Sequence, residues 1–372
     1  QHAPPVLAQI LRYRAMSKLR STYLDGILDF RVPDHGLGAV ACATGGDGGG
    51  GSEESTESTP RQTFRIHAAW NHLNVETGRL SCSKPPLQCI PREPETIAIE
   101  SDSDALPSPP RAAATLNVRE AFVASRGRTL LAVDYSQIEM RVLAQLSEDQ
   151  RLRALFSQPG GDIYKQVAAK LTQKHVDQVS TEERNLAKSS CLGIIYGMGD
   201  KELAKRHGIS QAKAESFKQS FFREFQGVGA WRNRIKAQVH TDGFVSTVTR
   251  RRREVKTCGP NDWQGRARAE RQAVNSTIQG SASDMMKLAM VAIHRQLPAA
   301  WKDLKLPPPR MILQVHDELI FDVPATLEAV QTLKSLVRSC MVAHVSQQLQ
   351  LNVPLDVKMC VGTTWGTMHH TE

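Results

Sequence analysis

Apolar runs predict β-strands in two distant parts of the chain. Residues 129–133 form an apolar, β-branched run, which predicts a buried strand that ends at Asp134. Residues 311–315 and 318–323 are apolar runs separated by a polar pair at 316–317, and this pattern predicts a hairpin. Both predicted structures therefore present acidic residues at a strand end.

Helical patterns fill most of the remaining chain, so we expect helices to cover one face of an antiparallel sheet, as in an α+β fold. The segment 149–279 is mostly helical in pattern, with breaks at 159–161 and 259–262. The other predicted elements are helices at 4–28, 136–146, 281–297 and 327–348, strands within 118–133, and an edge strand at 353–361.

Two segments have compositions that do not suit a packed core. Residues 45–60 are rich in Gly, Ser and Glu, which predicts disorder. Their glycines neither follow a strand nor open a helix, and no Lys-Ser or Lys-Thr pair follows them, so they are not a phosphate-binding loop. Residues 91–114 are rich in proline and acidic residues and are interpreted as an inserted loop.

Composition narrows the class of protein. A chain of 372 residues can bury a large core and form more than one subdomain. Its net charge of +9 suits a polyanionic partner, although a solvated surface has the same signature. Seven cysteines at irregular spacing, with no Cys-x-x-Cys, argue against a disulfide framework or a zinc site. No apolar run reaches the length of a membrane span, and no signal peptide is visible.

The acidic residues at the strand ends are candidate metal ligands. Asp134 has a fixed backbone and one open side, which suits a hard cation, and the Tyr135 carbonyl is a candidate second ligand. Asp317 and Glu318 are adjacent, and carboxylates crowded in this way repel each other unless a cation lies between them. Taken alone, such motifs are mostly turns or helix caps, and roughly one in ten is functional.

A cationic helix is predicted between these two acidic motifs. Ser180 and Glu183 form a capping box that starts it, and Arg184 and Lys188 follow one helical turn apart. Tyr196 lies two turns further along the same broad face. An Arg–Lys pair is usually a solvated surface, but Arg suits bidentate phosphate contacts and Lys supplies a point charge. Two acidic strand ends facing a cationic helix are what metal-assisted phosphoryl transfer needs.

These blocks resemble the motifs of family A DNA polymerases. LAVDYSQIEMRVLA resembles the first palm motif, Arg184-x3-Lys188-x7-Tyr196-Gly197 the fingers helix, and QVHDEL the second palm motif. The family's segments before the first motif agree with KLRSTYLD and TGRLSCSKPPLQCIP, and those between the second and third motifs agree with DGFVSTV and AERQAVNSTIQGSASDMMKLAM. The resemblance runs from about residue 4 to residue 365 with two interruptions, and AERQAVN, QGSA and GIIYGMG are most similar to the nu/theta branch of eukaryotic repair polymerases.

The resemblance implies a right-hand polymerase fold of class α+β, with an antiparallel palm sheet covered by helices on one face. The implied divisions are a thumb-base and palm-entry helix (1–44), a disordered linker (45–60), palm (61–148), mainly helical fingers (149–280) and a palm return with the catalytic hairpin (281–372). We expect the thumb to be largely missing and a proofreading exonuclease to be absent. Weak, salt-sensitive DNA binding and low processivity are then expected.

The resemblance also implies a role for each site residue. Asp134, Asp317 and the backbone carbonyl of Tyr135 are implied to hold two Mg²⁺ ions, with Mn²⁺ as a substitute, and Glu318 to support them. The implied dNTP-binding residues are Arg184 and Lys188 at the triphosphate, Gln137 near the phosphates, Glu139 as a steric gate against a ribose 2′-OH, Leu192 beside the sugar and Tyr196 over the base pair. Lys188 is also the implied proton donor to pyrophosphate. The residues implied to touch primed template DNA are Arg79, Gln88, Arg271, Asn275, Gln279 and His316.

Some positions depart from the family pattern. Leu192 stands where the family usually carries an aromatic ring against the nucleotide sugar, and Pro86 and Cys89 stand where asparagines are common. Arg250 replaces the glycine of a Gly-Arg-Arg-Arg turn, and an arginine is strained there if the position requires a positive φ. The metal-binding and phosphate-binding residues are intact.

Three functions compete. The favoured one is a template-directed DNA polymerase without proofreading, acting in repair or translesion synthesis and located in the nucleus, with no membrane partner and undetermined protein partners. A single-subunit RNA polymerase shares the two aspartates, a helix lysine and a tyrosine, but Glu139 as a gate argues against it. A catalytically weak or inactive DNA-binding remnant is the third, and intact Asp134, Asp317, Arg184 and Lys188 argue against that.

The densest basic stretch is 250–253, followed by Lys256, Arg266 and Arg268. One interpretation of this stretch is a nuclear-targeting signal or an exposed loop. Between the fingers and a palm helix, contact with DNA phosphates is the favoured interpretation, and such contacts position DNA without reading its sequence.

Overall fold

The computed structural model describes residues 25–33, 63–92, 95–97, 114–157, 162–257, 259 and 261–371, together with five positions between 13 and 21. The expected linker (45–60) and most of the helix expected at 4–28 lie outside the described residues. A single helical turn at Gly26–Leu28 is described. The expected loop at 91–114 is described only at its two ends, which pair with each other.

A five-stranded antiparallel sheet carries the candidate site. Its order is β10-β11-β7-β12-β13, and the other described strands form separate two-stranded ladders. The strands are β1 (Arg31–Pro33), β2 (Phe64–Ile66), β3 (Ala69–Asn71), β4 (Ser81–Ser83), β5 (Glu95–Ile97), β6 (Ala114–Leu116), β7 (Arg128–Tyr135), β8 (Phe244–Ser246), β9 (Arg252–Glu254), β10 (Arg310–Val315), β11 (Glu318–Pro324), β12 (Val357–Gly362) and β13 (His369–Thr371).

The predicted hairpin is confirmed as β10 and β11, and the predicted buried strand as β7. β7 continues one residue past its predicted end at Asp134, because Tyr135 still pairs with Val357. The strand expected at the sheet edge at 353–361 begins later, at Val357, and lies inside the sheet, since β13 covers its outer side. Val118–Ala121 forms a 3₁₀ turn where a strand was expected.

Helices make up most of the rest of the described chain. They are α1 (Ile138–Ser147), α2 (Gln150–Phe156), α3 (Ile163–Thr172), α4 (Thr181–Ile195), α5 (Asp200–His207), α6 (Gln211–Glu224), α7 (Gln226–Asp242), α8 (Trp263–Trp301), α9 (Leu327–Arg338) and α10 (Val345–Gln348). A π-helical segment, Ser339–His344, joins α9 to α10, so the helix expected at 327–348 is continuous but not regular. None of the described helices is long and apolar enough to cross a lipid bilayer.

The separate helix expected at 281–297 is part of α8, which has 39 residues. The helix continues through Gly280, where the lack of a side chain allows Thr247 to pack closely against the helix. A Cβ at this position would lie 2.7 Å from Cγ2 of Thr247. Ser281 instead continues the helix and donates from its hydroxyl to the Thr277 carbonyl at 2.6 Å.

Apolar layers cover both faces of the sheet. Leu131 and Val133 of β7 are fully buried in the larger cluster, which the helices share. Leu130 and Ala132 belong to a second cluster on the opposite face, which includes Trp365 and irregular segments. Successive residues of a strand point to opposite faces, so β7 is apolar throughout. The predicted α+β architecture is confirmed, and Asp134 belongs to the face that the irregular segments cover.

Candidate active site

Neighbouring strands and a backbone hydrogen bond hold Asp134 and Asp317. Asp134 pairs with Glu318 of β11 on one side and with Lys358 of β12 on the other. Asp317 lies at the tip of the β10–β11 hairpin, where its carbonyl accepts a hydrogen bond from the Tyr135 N–H at 3.1 Å. The sheet thereby fixes the backbones of the two aspartates relative to each other.

Crowded acidic groups make this site favourable for a cation. Burial, together with the charges of Glu318 and Asp317, raises the pKa of Asp134 to about 7. Burial and the charge of Glu139 raise the pKa of Asp317 to about 6, against the opposing effect of Arg79. A positive ion between the carboxylates would reverse these shifts.

The aspartates suit the metal ions that the sequence predicts. Mg²⁺ commonly takes one or two carboxylates from the protein and its other oxygen ligands from substrate phosphates and water. Asp134 and Asp317 supply such carboxylates, and the Tyr135 carbonyl follows directly on β7. Within the described part of the chain, no three His, Cys, Asp or Glu side chains form a closed metal cage.

Helix α4 carries the predicted phosphate-binding cations. Its capping box is confirmed, because the Ser180 hydroxyl accepts from the Glu183 N–H at 3.2 Å and the Glu183 carboxylate accepts from the Ser180 N–H at 3.0 Å. Arg184 donates from Nε to Asp162 at 2.6 Å, and Lys188 is exposed one turn later. Asp162, which caps α3, was missed by sequence reasoning because its contact with Arg184 bridges two helices.

Tyr196 connects the end of α4 to the predicted steric gate. Its hydroxyl donates to Glu139, and Nη2 of Arg79 donates to the other oxygen of that carboxylate at 2.6 Å. Gln279 of α8 also hydrogen-bonds Tyr196. Leu192, one turn before Tyr196, is half-buried. The structure therefore brings four of the predicted site residues, Tyr196, Glu139, Arg79 and Gln279, into one cluster.

Helix α8 carries three of the predicted DNA-contacting residues, Arg271, Asn275 and Gln279, at intervals of four residues. The buried Oδ1 of Asn275 has no hydrogen-bond partner among the described residues. Such an oxygen costs about 1–3 kcal/mol unless a donor reaches it. Gly197, with φ of +78°, packs against Arg271. A Cβ at Gly197 would lie 2.7 Å from Cγ of Arg271.

The remaining predicted residues have local structural contacts. The Gln88 amide donates to the Leu80 carbonyl at 3.2 Å and to the Gln314 side chain at 2.9 Å, so it ties the β4 region to β10. His316 at the hairpin tip has φ of +53°, and Gln137 at the start of α1 has φ of +55°. Their roles toward DNA and nucleotide stay predictions.

Arg119 is a further residue of the site that sequence reasoning missed. It is 9% exposed, donates to the carbonyls of Pro91 and Ile90 at 3.0 and 3.1 Å, and lies 4.0 Å from the ring centroid of Trp365. Burial raises the pKa of Glu318, and the charge of Arg119 opposes that rise. No local pattern marks Arg119, because its partners come from distant segments.

The basic turn between β8 and β9 is anchored to α8. Arg250 has φ of +64°, so the condition under which an arginine is strained at this position is met. Arg251 forms an ion pair with Asp284 at 2.9 Å and donates to the Thr77 carbonyl at 2.8 Å. The Thr249 hydroxyl also donates to Asp284, at 2.7 Å. The turn is therefore fixed to the face of α8 that carries Asp284.

Residues 1–367 match the family described as DNA polymerase family A. The chain belongs to that family. Among its relatives, DNA polymerase I of Treponema pallidum is 34% identical over 365 residues, and the thermostable DNA polymerase I of Thermus filiformis is 35% identical over 363 residues. Each alignment covers 98% of this chain, but 31% and 36% of the relative. The chain thus spans about a third of the length of these family A relatives.

A solved structure supports the fold. The POL domain of Pol1 from M. smegmatis, in a complex with DNA primer-template and dNTP, superimposes with a TM-score of 0.75 at 32% identity. The match covers 97% of this chain and 53% of that one. Family A consists of DNA-directed DNA polymerases, which generally use divalent metal ions. The division into palm and fingers at 148 and 280 stays a prediction.

The comparisons change two expectations about origin. The family A relatives described above come from bacteria, as do those from Lactococcus lactis and Bacillus subtilis. Bacteria have no nucleus, so the expected nuclear location is wrong. These relatives are all named DNA polymerase I, and the likeness to the eukaryotic nu/theta branch is unconfirmed.

Proposed function

We propose that this chain is the polymerising part of a DNA polymerase, which adds deoxynucleotides to a primer opposite a template strand. The observation that carries the proposal is that the sheet holds Asp134 and Asp317 close together, with Glu139 and Arg79 near Asp317. The primer 3′-oxygen would bond to the α-phosphorus of the dNTP. The bond from that phosphorus to pyrophosphate would break, and the 3′-hydroxyl would lose its proton.

Asp134, Asp317 and the Tyr135 carbonyl are the proposed holders of two Mg²⁺ ions, with Mn²⁺ as a substitute. When bound, such ions stabilise the attacking and leaving oxygens of an in-line displacement. Glu318 supports the site from its position opposite Asp134. Lys358, on the other side of Asp134, supplies a compensating positive charge.

The fingers helix α4 is proposed to bind the triphosphate. Arg184 donates from Nε to Asp162 and from Nη1 to the Asn185 side chain at 3.1 Å, which leaves Nη2 for a phosphate oxygen. Lys188 is exposed on the same face and is the proposed proton donor to the departing pyrophosphate. Gln137 lies beside the palm carboxylates at the start of α1 and is proposed to approach the same phosphates.

The sugar and base are proposed to lie against the Tyr196 cluster. Glu139 would exclude a ribose 2′-OH, because its carboxylate is held from both sides by Arg79 and Tyr196. Leu192 would contact the sugar without an aromatic ring. Primed template DNA is proposed to lie along the face formed by Arg79, Gln88, Arg271, Asn275, Gln279 and His316.

The biological role is proposed to be gap filling in repair or synthesis past lesions. The observation that favours lesion bypass is Leu192, because loss of a ring against the sugar relaxes packing around the incoming nucleotide. A second candidate, a catalytically weak DNA-binding fragment, is favoured by the positive φ at Arg250.

Primer extension tests the proposed function. The 372-residue chain, with Mg²⁺, four dNTPs and a primed template, is expected to extend the primer, and Asp134→Ala and Asp317→Ala are each expected to abolish extension. Asp303→Ala is the matched control, because Asp303 is exposed and remote from the sheet carboxylates. Binding without extension by the parent chain would favour the DNA-binding fragment, and equal use of ribonucleotides would favour an RNA polymerase.

A further inference from the structure

The segment after β12 packs against the segment that leads into β7. The Trp365 backbone N–H donates to the Phe122 carbonyl at 2.9 Å, and the Ala124 N–H donates to the Thr363 carbonyl at 2.8 Å. The rings of Phe122 and Trp365 also meet edge to face, with their centroids 5.7 Å apart. Backbone and ring contacts therefore both fix the position of Trp365.

Trp365 is thereby held on the sheet face that carries the acidic site. It is 5% exposed and belongs to the same apolar cluster as Ala132 of β7 and Ile320 of β11. Asp134 and Glu318 lie two residues from these positions and pair with each other in register. Residues two apart in a strand share a face, so the indole lies on the same face as both carboxylates.

The Arg119 guanidinium stacks on this indole, with its Cζ 4.0 Å from the ring centroid of Trp365. Its hydrogen bonds to the carbonyls of Pro91 and Ile90 fix its orientation. Burial lowers the pKa of Arg119 and raises the pKa of Glu318, and the charge of each group opposes the shift of the other. A buried cation of fixed orientation thus lies near Glu318.

The indole N–H of Trp365 is a second group that acts on Glu318. Its nitrogen is buried and has no hydrogen-bond acceptor at ordinary distance and angle among the described residues. The N–H is nevertheless near enough to the Glu318 carboxylate to lower its pKa, against the rise that burial causes. Hydrogen bonds of functional side chains are often long in a free protein and shorten when substrate binds. Since a buried N–H without an acceptor is costly, this carboxylate is the partner that would satisfy it.

We propose that Trp365 and Arg119 are positioning residues, which orient the Glu318 carboxylate toward the metal site. Neither would touch a metal ion or the nucleotide. Glu318 follows Asp317 in the chain and lies opposite Asp134 across the sheet, so its orientation sets the space and charge around the ions. Mutation of residues that orient the groups around a metal commonly changes metal affinity or activity by about tenfold to a hundredfold. The inference rests on the proposed function and adds two residues that act through the same site.

The test measures Mn²⁺ binding by electron paramagnetic resonance, in a complex with dNTP and a primed template whose primer lacks its 3′-hydroxyl. Trp365→Phe keeps a ring for Arg119 to stack on and removes only the N–H. It is expected to weaken Mn²⁺ binding about tenfold. In extension assays it should raise the Mg²⁺ concentration at half-maximal rate, while the KM for dNTP at saturating Mg²⁺ stays unchanged. Arg119→Lys keeps the charge but loses the flat stack, and a smaller effect in the same direction is expected.

Trp301→Phe is the matched control. Trp301 is 6% exposed, belongs to the apolar cluster on the opposite face of the sheet, and donates from its indole to the Leu306 carbonyl at 3.1 Å. Both Trp variants therefore remove one buried N–H. Trp301→Phe should lower the urea unfolding midpoint at least as much as Trp365→Phe does, but should bind Mn²⁺ as tightly as the parent.

A double-mutant cycle separates positioning from structural support. In a Glu318→Ala background, Trp365→Phe should have no further effect on Mn²⁺ affinity, because both changes act through one carboxylate. Additive losses, or Mn²⁺ binding by Trp365→Phe as tight as by the parent, overturn the inference. If Trp365→Phe does not fold, the same cycle with Arg119→Lys decides between these outcomes. A parent chain that does not extend a primer, or whose Mn²⁺ affinity is unaffected by Asp134→Ala, would instead overturn the proposed function.

Discussion

The carboxylate of Glu139 links α1 to the end of α4. It accepts from Arg79 on one oxygen and from Tyr196 on the other, so the side chain has little freedom to move away from a nucleotide sugar. Sequence reasoning named all three residues from their motifs but did not find that they touch. That contact depends on how α4 approaches the sheet, which no local pattern encodes.

Truncating this side chain tests the proposed gate. Glu139→Ala should raise the kcat/KM ratio for ribonucleotides over deoxynucleotides about tenfold to a hundredfold, because the steric barrier to the 2′-OH is removed. It should also lower kcat/KM for dNTPs, since Tyr196 loses its partner. Glu215→Ala, at an exposed position of α6, is the control. An unchanged sugar ratio would remove the gate assignment.

Asp134 should destabilise the metal-free fold at neutral and higher pH. Its pKa is about 7 in the folded chain, against about 3.9 for an ordinary Asp, so folding favours the protonated form. Stability is therefore lost as pH rises from about 4 to about 7. Asp134→Asn removes this effect and should stabilise the protein by on the order of 1 kcal/mol or more at pH 8 in EDTA, while abolishing extension.

Chemical denaturation at two pH values measures this effect. The advantage of Asp134→Asn should be mostly lost at pH 4, where the folded parent is protonated and the unfolded parent is about half protonated. Mg²⁺ should stabilise the parent more than the variant at pH 8, because the ion binds only the folded site. An Asn variant that is no more stable than the parent at pH 8 would show that the carboxylate is not crowded.

At the scale of elements, the turn between β8 and β9 is a point of backbone strain. The departure of Arg250 from the family glycine was visible in the sequence, and the positive φ is its structural consequence. The strain is tolerated because the neighbouring Arg251 and Thr249 are both bonded to Asp284.

Restoring glycine should relieve this strain. Arg250→Gly is expected to raise the free energy of unfolding by about 1 kcal/mol, the approximate cost of a left-handed conformation for a residue with a Cβ. Arg252→Gly in β9 is the matched control and should destabilise the chain by about 0.5–1 kcal/mol, since glycine weakens a strand. Urea unfolding midpoints compare the two variants, and a loss of stability in both would contradict the assignment.

Elements with local signals were predictable from the sequence. The β10–β11 hairpin, β7 and the capping box of α4 each follow from adjacent residues, and the structure confirms them. The edge position of β12 was wrong because the short β13, which covers it, has a weak pattern of its own. Arg119 and Asp162 were missed for the same reason as the Glu139 contacts, since each acts through a residue distant in sequence.

At the scale of the whole molecule, a net charge of +9 accompanies a site built around carboxylates. Much of the positive charge lies outside this carboxylate site, on α7, α8 and the β8–β9 turn. Such a distribution attracts a polyanion to the surface while leaving the acidic centre for cations.

The salt dependence of DNA affinity should show, one substitution at a time, which of these cations neutralises a phosphate. The logarithm of DNA affinity is expected to fall linearly with the logarithm of salt concentration, and Arg271→Gln should reduce the magnitude of that slope by about one unit. Arg206→Gln, at an exposed position of α5, should leave the slope unchanged. Equal slopes for all three proteins would mean that Arg271 does not neutralise a phosphate.

Helix α8 constrains how this protein can change over evolution. Its 39 residues carry the exposed Trp263, Arg271, which packs against Gly197, and Asp284, which pairs with Arg251. Inserting a single residue between Trp263 and Asp284 would rotate everything on one side by about 100° and shift it by about 1.5 Å. Loops tolerate insertions and deletions better, because they do not set the direction of residues on a common helix. We therefore expect homologous chains to lack insertions within α8.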